Sequence, residues 1–211
     1  MIPKLKYPNK MIKPFSESCD QNREPILNVI RPLFSDITNI LEIGSGTGQH
    51  AVFFAEKMPH LIWHTSDQLA YHEGIKQWLV EAALENTRPP IALNVSTDDW
   101  SAIKNKHIDA IFSANAVHIM SWENVVDFIK NAGDLLPING LLVLYGPFNY
   151  NHAYTSESNA RFDIWLKQQN SQSAIRDFEA IDQLANKVGL MLQDDVEMPA
   201  NNRILCWKKV A

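Results

Sequence analysis

Residues 41–50 read LEIGSGTGQH. An apolar segment, NILEI (39–43), runs into three glycines at alternate positions, and GQHAVFFAEKM (48–58) then has helical spacing until Pro59 stops it. Strand, glycine bend and helix in that order bring backbone close to a bound molecule. Gly44 and Gly46 accept positive φ and carry no Cβ that would block such a molecule. In a doubly wound sheet this bend lies beyond the carboxyl end of the first strand, where ligands sit.

The chain repeats this alternation on both sides of the bend. LIWHTS (61–66), PIALNV (90–95), IDAIFSAN (108–115) and GLLVLYG (140–146) read as further strands, with helices over 70–86 and 122–136 between them, the latter capped by Ser121. Strands apolar on both faces predict a mostly parallel sheet covered on both sides. Upstream, Asp20 followed by QNREPILNVIRPLF reads as a capped helix with Pro25 in its first turns. Downstream come a helix over 156–169 and another over 178–189, closed by Gly189. The strands LMLQDDVEM and RILCWKK are separated only by PANN, and so short a link permits only an antiparallel pair. The fold predicted is α/β, Rossmann-like, with a seven-stranded sheet and one reversed strand near its end.

The glycine spacing decides between ligands. A dinucleotide fingerprint is G-x-G-x-x-G/A, but here the third glycine, Gly48, comes one residue early and Gln49 puts a long polar side chain where a pyrophosphate needs bare amides. A P-loop is excluded because no Gly-Lys-Ser/Thr follows. Asp67, about twenty residues further at the end of the second strand, is placed to accept both hydroxyls of a ribose. Glu42 is an acid inside an apolar strand. Either it bonds loop amides, or it is an anion set near a cationic ligand. A nucleoside bearing positive charge rather than phosphates fits all of these features.

The 211 residues are 45% hydrophobic and carry a net charge of −5, which fits one domain with a full core and argues against a nucleic-acid partner. Lys4, Lys6, Lys10 and Lys13 form a basic N-terminal stretch, read either as a mobile tail or as an arm over a negatively charged ligand. Cys19 and Cys206 show no metal-ligand spacing, so no metal is expected and both read as free thiols in a reducing compartment. No apolar run has the length of a signal peptide or a membrane span. The expected setting is cytoplasmic, and the oligomeric state stays open.

With Glu42, Gly44, Gly46 and Gly48 followed by Ser66-Asp67, the chain resembles the class I S-adenosylmethionine-dependent methyltransferases, whose glycine motif is E/D-x-G-x-G-x-G and whose final strand is reversed. More closely, QNREPIL, LEIGSGTGQHAVFFA, SANAVHIMSW, LYGPFNYN, SESNARFD and MPANNR resemble the methyltransferase-like protein 26 family. The resemblance implies a tail over 1–19, a single methyltransferase domain over 20–211, and S-adenosylmethionine as cofactor. It puts Glu42 near the methionine end, Gly44, Ser45 and Gly46 under the methionine and sugar, and Asp67 with Gln68 at the ribose. Asn94 stands where the family's third strand often carries an acid for the adenine, so a backbone pair at Val95 and Ser96 takes that contact. Asn115 is implied beside the sulfonium. Asn22 and Arg23 are implied at the methionine carboxylate, with a solvated helix charge as the alternative for Arg23.

Methyl transfer from a sulfonium needs an aligned nucleophile, exclusion of water and, for some acceptors, a base. His118, just after the fourth strand, is the candidate base, or else a packed histidine. The SANAVHIM loop differs from the Asn/Asp-Pro-Pro-aromatic motif of methyltransferases acting on amino groups. That argues against an exocyclic amine or glutamine as acceptor, while a polar, partly enclosed pocket and an acidic surface favour a small molecule. Tyr145, Phe148, Asn149, Tyr150 and Asn151 are candidates for its pocket, with Asn202 and Arg203 as secondary ones. Arg161 and Asp163 either orient that segment or form a surface pair, Asn201 and Asn202 suit a tight turn, and Trp63, Trp78 and Trp165 read as core. Two other functions compete: a non-catalytic S-adenosylmethionine-binding or interaction protein, and a nicotinamide-dependent oxidoreductase, which Gln49 disfavours.

Overall fold

In the computed structural model, which describes residues 13–211, the Gly44–Gly48 bend joins β1 (Asn39–Ile43) to α2 (Gln49–Lys57). Helix α1 (Glu17–Leu33) precedes them. After them come β2 (Ile62–Asp67), α3 (His72–Ala82), β3 (Thr87–Ala92), α4 (Ser101–Lys104), β4 (Ala110–Ala114), α5 (Trp122–Leu135) and β5 (Leu141–Gly146). The remainder holds β6 (Phe148–Asn149), α6 (Glu157–Gln169), β7 (Arg176–Asp177), α7 (Phe178–Lys187), β8 (Leu190–Met198) and β9 (Asn202–Lys209). Lys4, Lys6 and Lys10 of the basic stretch lie outside the described residues.

Seven strands form one sheet in the order β3-β2-β1-β4-β5-β9-β8. Strands β1 to β5 pair in parallel, and β9 runs antiparallel to both β5 and β8. The chain moves outward from β1 to β3 and then restarts at β4 on the other side of β1. The order therefore reverses between β1 and β4, where a doubly wound sheet opens its crevice.

Alternation along β1 sorts the two layers. Ile40 joins Trp63, Phe112 and Val143 under α1 and α2, while Leu41 and Ile43 join Ile111, Leu142 and Leu144 under α5 and α7. Both faces are buried, as the apolar strands predict. Among the described residues no helix is long and apolar enough to cross a membrane.

Three boundaries differ from expectation. Ser16, not Asp20, caps α1, its side chain accepting from the Cys19 amide at 3.3 Å. Helix α1 therefore begins at Glu17, ahead of the expected domain start at residue 20, and Pro25 falls in mid-helix. Pro25 has no N–H to donate to the Gln21 carbonyl one turn back. β3 starts at Thr87, three residues before the predicted strand, and includes Pro89 and Pro90. Two prolines are tolerated there because β3 is an edge strand with a register shift against β2.

The segment before α1 is packed. Pro14 O accepts from Trp78 Nε1 at 2.7 Å, and Lys13 lies 3.6 Å over the Trp78 ring while pairing with Glu81 at 2.7 Å. A Cβ on Gly74 would stand 2.5 Å from Pro14 Cγ, so this crossing requires glycine in α3.

Candidate active site

The glycine bend sits where β1 ends at the order reversal. The Gly44 and Ser45 amides both donate to Ser66 O, at 3.1 and 3.0 Å, which fastens the bend to β2. Gly46, at φ +57, has open space where a Cβ would stand, and its N–H donates to Asp67 Oδ2 at 2.7 Å. Asp67 Oδ1 accepts from the Gln68 amide, also at 2.7 Å. A carboxylate has about four lone-pair sites, so each oxygen keeps acceptor capacity for a ligand hydroxyl. Burial raises the Asp67 pKa, and the two amide bonds oppose that. Gly48 serves packing instead, since a Cβ there would stand 3.1 Å from Ile75 Cα in α3.

Glu42 is buried on the α1–α2 face and accepts from Trp63 Nε1 at 3.1 Å. Burial pushes its carboxyl up to about 7, partly offset by the bonds from Trp63 and Ser45. Burial thus favours the protonated carboxyl, and a nearby cation would favour the charged form.

The start of α1 lies over this bend. Gln49, which argues against a pyrophosphate in the sequence, has a second use in the fold. Its Oε1 accepts from Ser16 N–H at 2.5 Å and its Nε2 donates to Ser16 O at 3.3 Å. Asn22 Oδ1 meets His50 Nε2 at 2.7 Å, and burial holds His50 near a pKa of about 4. Burial also raises the Tyr145 pKa, which contacts from Asn22 and Asn202 partly offset. Asn22 and Tyr145 thus share one polar patch under α1.

Beside that patch opens a cavity of about 670 Å³. Helix α1 supplies Gln21, Asn22 and Pro25, and the loop after β4 supplies Asn115, His118 and Ile119. Tyr145 and Pro147 come from the end of β5, Phe162 and Trp165 from α6, and Asn202 from the start of β9. Asn115 takes left-handed geometry, φ +57, with its N–H bonded to Tyr145 O at 2.8 Å. That backbone form is uncommon outside glycine and Asn tolerates it best. His118 is 3% exposed, with Nδ1 buried and unpartnered. Burial first, and the Arg176 charge second, hold its pKa down at about 4.

The His118 loop is held by four consecutive carbonyls. Val117 O accepts from Arg176 Nε at 3.3 Å, His118 O from the Ala174 amide at 3.0 Å, Ile119 O from Ser173 Oγ at 2.8 Å, and Met120 O from Arg176 Nη2. Asp163 anchors the strap from α6. It is buried and accepts from the Ile175 amide at 2.7 Å, Tyr154 OH at 2.7 Å and Lys167 Nζ at 2.5 Å. Burial works against ionisation of Asp163, but these bonds hold its carboxyl below the usual range. Asp163 is therefore no surface partner of Arg161, which pairs with Glu157 at 3.7 Å.

Several sequence candidates lie elsewhere. Arg23 turns toward α2, paired with Asp20 at 2.9 Å and 4.9 Å over the Phe53 ring, because α1 presents Asn22 rather than Arg23 to the cavity. Val95 O accepts from Asn131 Nδ2 and the Ser96 amide donates to Asn94 Oδ1, so these groups already have partners inside the protein. Gln68 is exposed at the site's edge. Phe148 is wholly in the core and Asn149 is buried against Ile175, because β6 pairs with β7 and turns inward after Pro147. Asn151 is exposed with its amide on Glu179. Arg203 pairs with Asp195 and Glu197 beside Tyr150, whose hydroxyl also bonds Asp195. Trp165, expected in the core, is 52% exposed at the cavity wall.

This sheet order, with β9 reversed between β5 and β8 and the bend at the switch point, is the Rossmann-like methyltransferase fold. Solved structures of that class superpose on it. An O-methyltransferase family protein from Burkholderia thailandensis matches with a TM-score of 0.80 at 13% identity, over 92% of this chain and 58% of that one. Human N-acetylserotonin methyltransferase, solved with S-adenosylmethionine, matches with 0.78 at 13%, over 92% and 53%. An O-methyltransferase family 2 protein from Planctomyces limnophilus, solved with apigenin, matches with 0.71 at 14%, over 82% and 51%. The chain thus spans a little over half the length of these structures. It belongs to the family described as "Protein of unknown function (DUF938)", whose model matches residues 13–209.

Proposed function

We propose that this protein is an S-adenosylmethionine-dependent methyltransferase acting on a small molecule. One observation carries the reading: the Gly46 N–H holds Asp67 Oδ2 at the bend, while the Cβ side of Gly46 is open, with no heavy atom within 4 Å. A Cβ at position 46 would intrude there, and the acid retains lone pairs for ribose hydroxyls. Gly44, Ser45 and Gly46 would lie under the methionine and sugar, Asp67 at the ribose, and Asn22 at the methionine end. Glu42, its carboxyl near 7, is suited to answer a positive charge by ionising. When bound, the cofactor supplies an activated methyl group. His118 and Asn115 line the cavity where an acceptor would meet that group. The likeness to the methyltransferase-like protein 26 family and a reducing, cytoplasmic setting for free Cys19 and Cys206 belong to the same reading.

Calorimetric titration tests it. S-adenosylhomocysteine is expected to bind and NADH is not. Binding of NADH, or no heat with S-adenosylhomocysteine, overturns the proposal.

A further inference from the structure

We infer that the acceptor is an uncharged, planar aromatic compound with a hydroxyl group, stacked on Phe162 and Trp165 with that hydroxyl toward His118. This rests on the methyltransferase reading above.

Charge is the first argument. None of the side chains lining the 670 Å³ cavity is Asp, Glu, Lys or Arg. The neighbouring ions are turned away and paired. Arg23 holds Asp20, Arg203 holds Asp195, and Arg176 holds backbone carbonyls. The contrast lies on the same helix α6. A smaller pocket of about 390 Å³ is lined by Asp163, Lys167, Arg176 and Asp177. An acceptor bearing a carboxylate, phosphate or ammonium would lose hydration in the larger cavity without gaining an ion partner, a costly exchange.

Shape is the second. Phe162 and Trp165, three apart on α6, stack with ring centroids 5.7 Å apart and planes 13° apart. His118 meets the Phe162 ring edge-on, 5.4 Å between centroids and 76° between planes. Trp165 leaves half its surface uncovered. The two rings lie in nearly parallel planes as one stacked wall, and the uncovered surface of Trp165 offers a flat partner a further stacking face. Asn115 and Asn202 add uncharged donors and acceptors at the polar end.

The chemistry is the third. The acceptor oxygen forms a bond to the methyl carbon as the sulfur–carbon bond breaks, its electron pair remaining on sulfur. The hydroxyl proton passes to the neutral His118 imidazole. One positive charge is present before the step and one after it, moved from sulfur to imidazole. A neutral hydroxyl therefore asks the cavity for no added counter-ion. His118 is a weak base, yet the oxygen's proton becomes strongly acidic as the new bond forms, so a late transfer suffices.

Binding tests this apart from turnover. Protein saturated with S-adenosylhomocysteine is titrated with 2-naphthol, 2-naphthoate and 2-naphthylmethylammonium, read by tryptophan fluorescence and calorimetry. The expected result is 2-naphthol binding tighter than either charged probe by about tenfold or more. Phe162→Ala weakens it by about fivefold while the affinity for S-adenosylhomocysteine holds. Asn202→Lys moves the preference toward 2-naphthoate. If Phe162→Ala does not fold, Trp165→Ala, at a half-exposed position, replaces it. Naphthol that does not bind, charged probes that bind equally well, or a wall variant without effect overturns the inference. S-adenosylhomocysteine binding in the same cell then shows that the cofactor reading stands. Its absence overturns both.

Discussion

The Gly46 amide donates to Asp67 Oδ2 at 2.7 Å, so the acid that ends β2 shapes the glycine bend that follows β1. Asp67→Ala removes the acceptors of the Gly46 and Gln68 amides and, with them, the proposed ribose contact. S-adenosylhomocysteine affinity should fall by about tenfold to a hundredfold, the equivalent of about 1–3 kcal/mol. Asp67→Asn keeps one oxygen and should fall between. Titration calorimetry on folded variants reads this, and unchanged affinity in Asp67→Ala removes the residue from the site.

Gly46 and Gly48 should respond differently to the same change. A Cβ at position 46 meets nothing within 4 Å, while one at 48 would stand 3.1 Å from Ile75 Cα. Both glycines have positive φ, which costs about 1–2 kcal/mol for alanine. Gly46→Ala should therefore fold, with a modest drop in melting temperature, and lose S-adenosylhomocysteine binding. Gly48→Ala should be the less stable of the two. The opposite order of melting temperatures contradicts this division.

Glu42 makes stability depend on pH in a defined direction. Its folded value of about 7 lies above the ordinary 4.5, so the folded chain keeps a proton that the unfolded chain releases between them. The stability tied to this group is complete below about 4.5 and is lost as pH rises to about 7, roughly 3 kcal/mol in all. His50, His64 and His118, each held near 4, act oppositely, their share being lost as pH falls below the usual histidine value. The difference between wild type and Glu42→Gln isolates the acid. In denaturant titrations Glu42→Gln should gain on wild type between pH 5 and pH 8. A difference independent of pH refutes it.

His118 should stay neutral to low pH, and part of the cause is Arg176. Imidazole proton resonances should show its midpoint near pH 4, rising in Arg176→Met. Because the Val117 and Met120 carbonyls lose donors, the same variant should melt earlier. A midpoint that does not move separates Arg176 from His118 electrically.

The alternation of strands and helices, the Ser121 cap, the left-handed turn before β9 and the reversed strand were legible because each rests on local spacing or on residues such as Gly189 and Asn201 that favour particular backbone. The glycine bend between β1 and α2 was legible for the same reason. The cavity was not. Pro25, Ile119 and the Phe162–Trp165 pair reach it from three separate elements, and no local pattern marks a helix face that turns to a cavity instead of to solvent. Phe148 and Asn149 misled because the two-residue pairing of β6 with β7, distant in sequence, decides where they point. The Asp163 anchor was hidden too, since its acceptors serve Tyr154, Lys167 and Ile175 from both sides of a loop. Two clues were available. The basic Arg176 lies just before a predicted helix, and Gln49 occupies a position that the glycine motif leaves free.

Strand β9 follows all the other described strands in chain order, yet it lies between β5 and β8. Until it is inserted, β8 has no neighbour and the exposed side of β5 has no hydrogen-bonding partner. During synthesis the ribosome must therefore deliver the chain through Lys209 before the platform is continuous. Over that interval the half-built layer is open to chaperones and to pairing with other nascent chains.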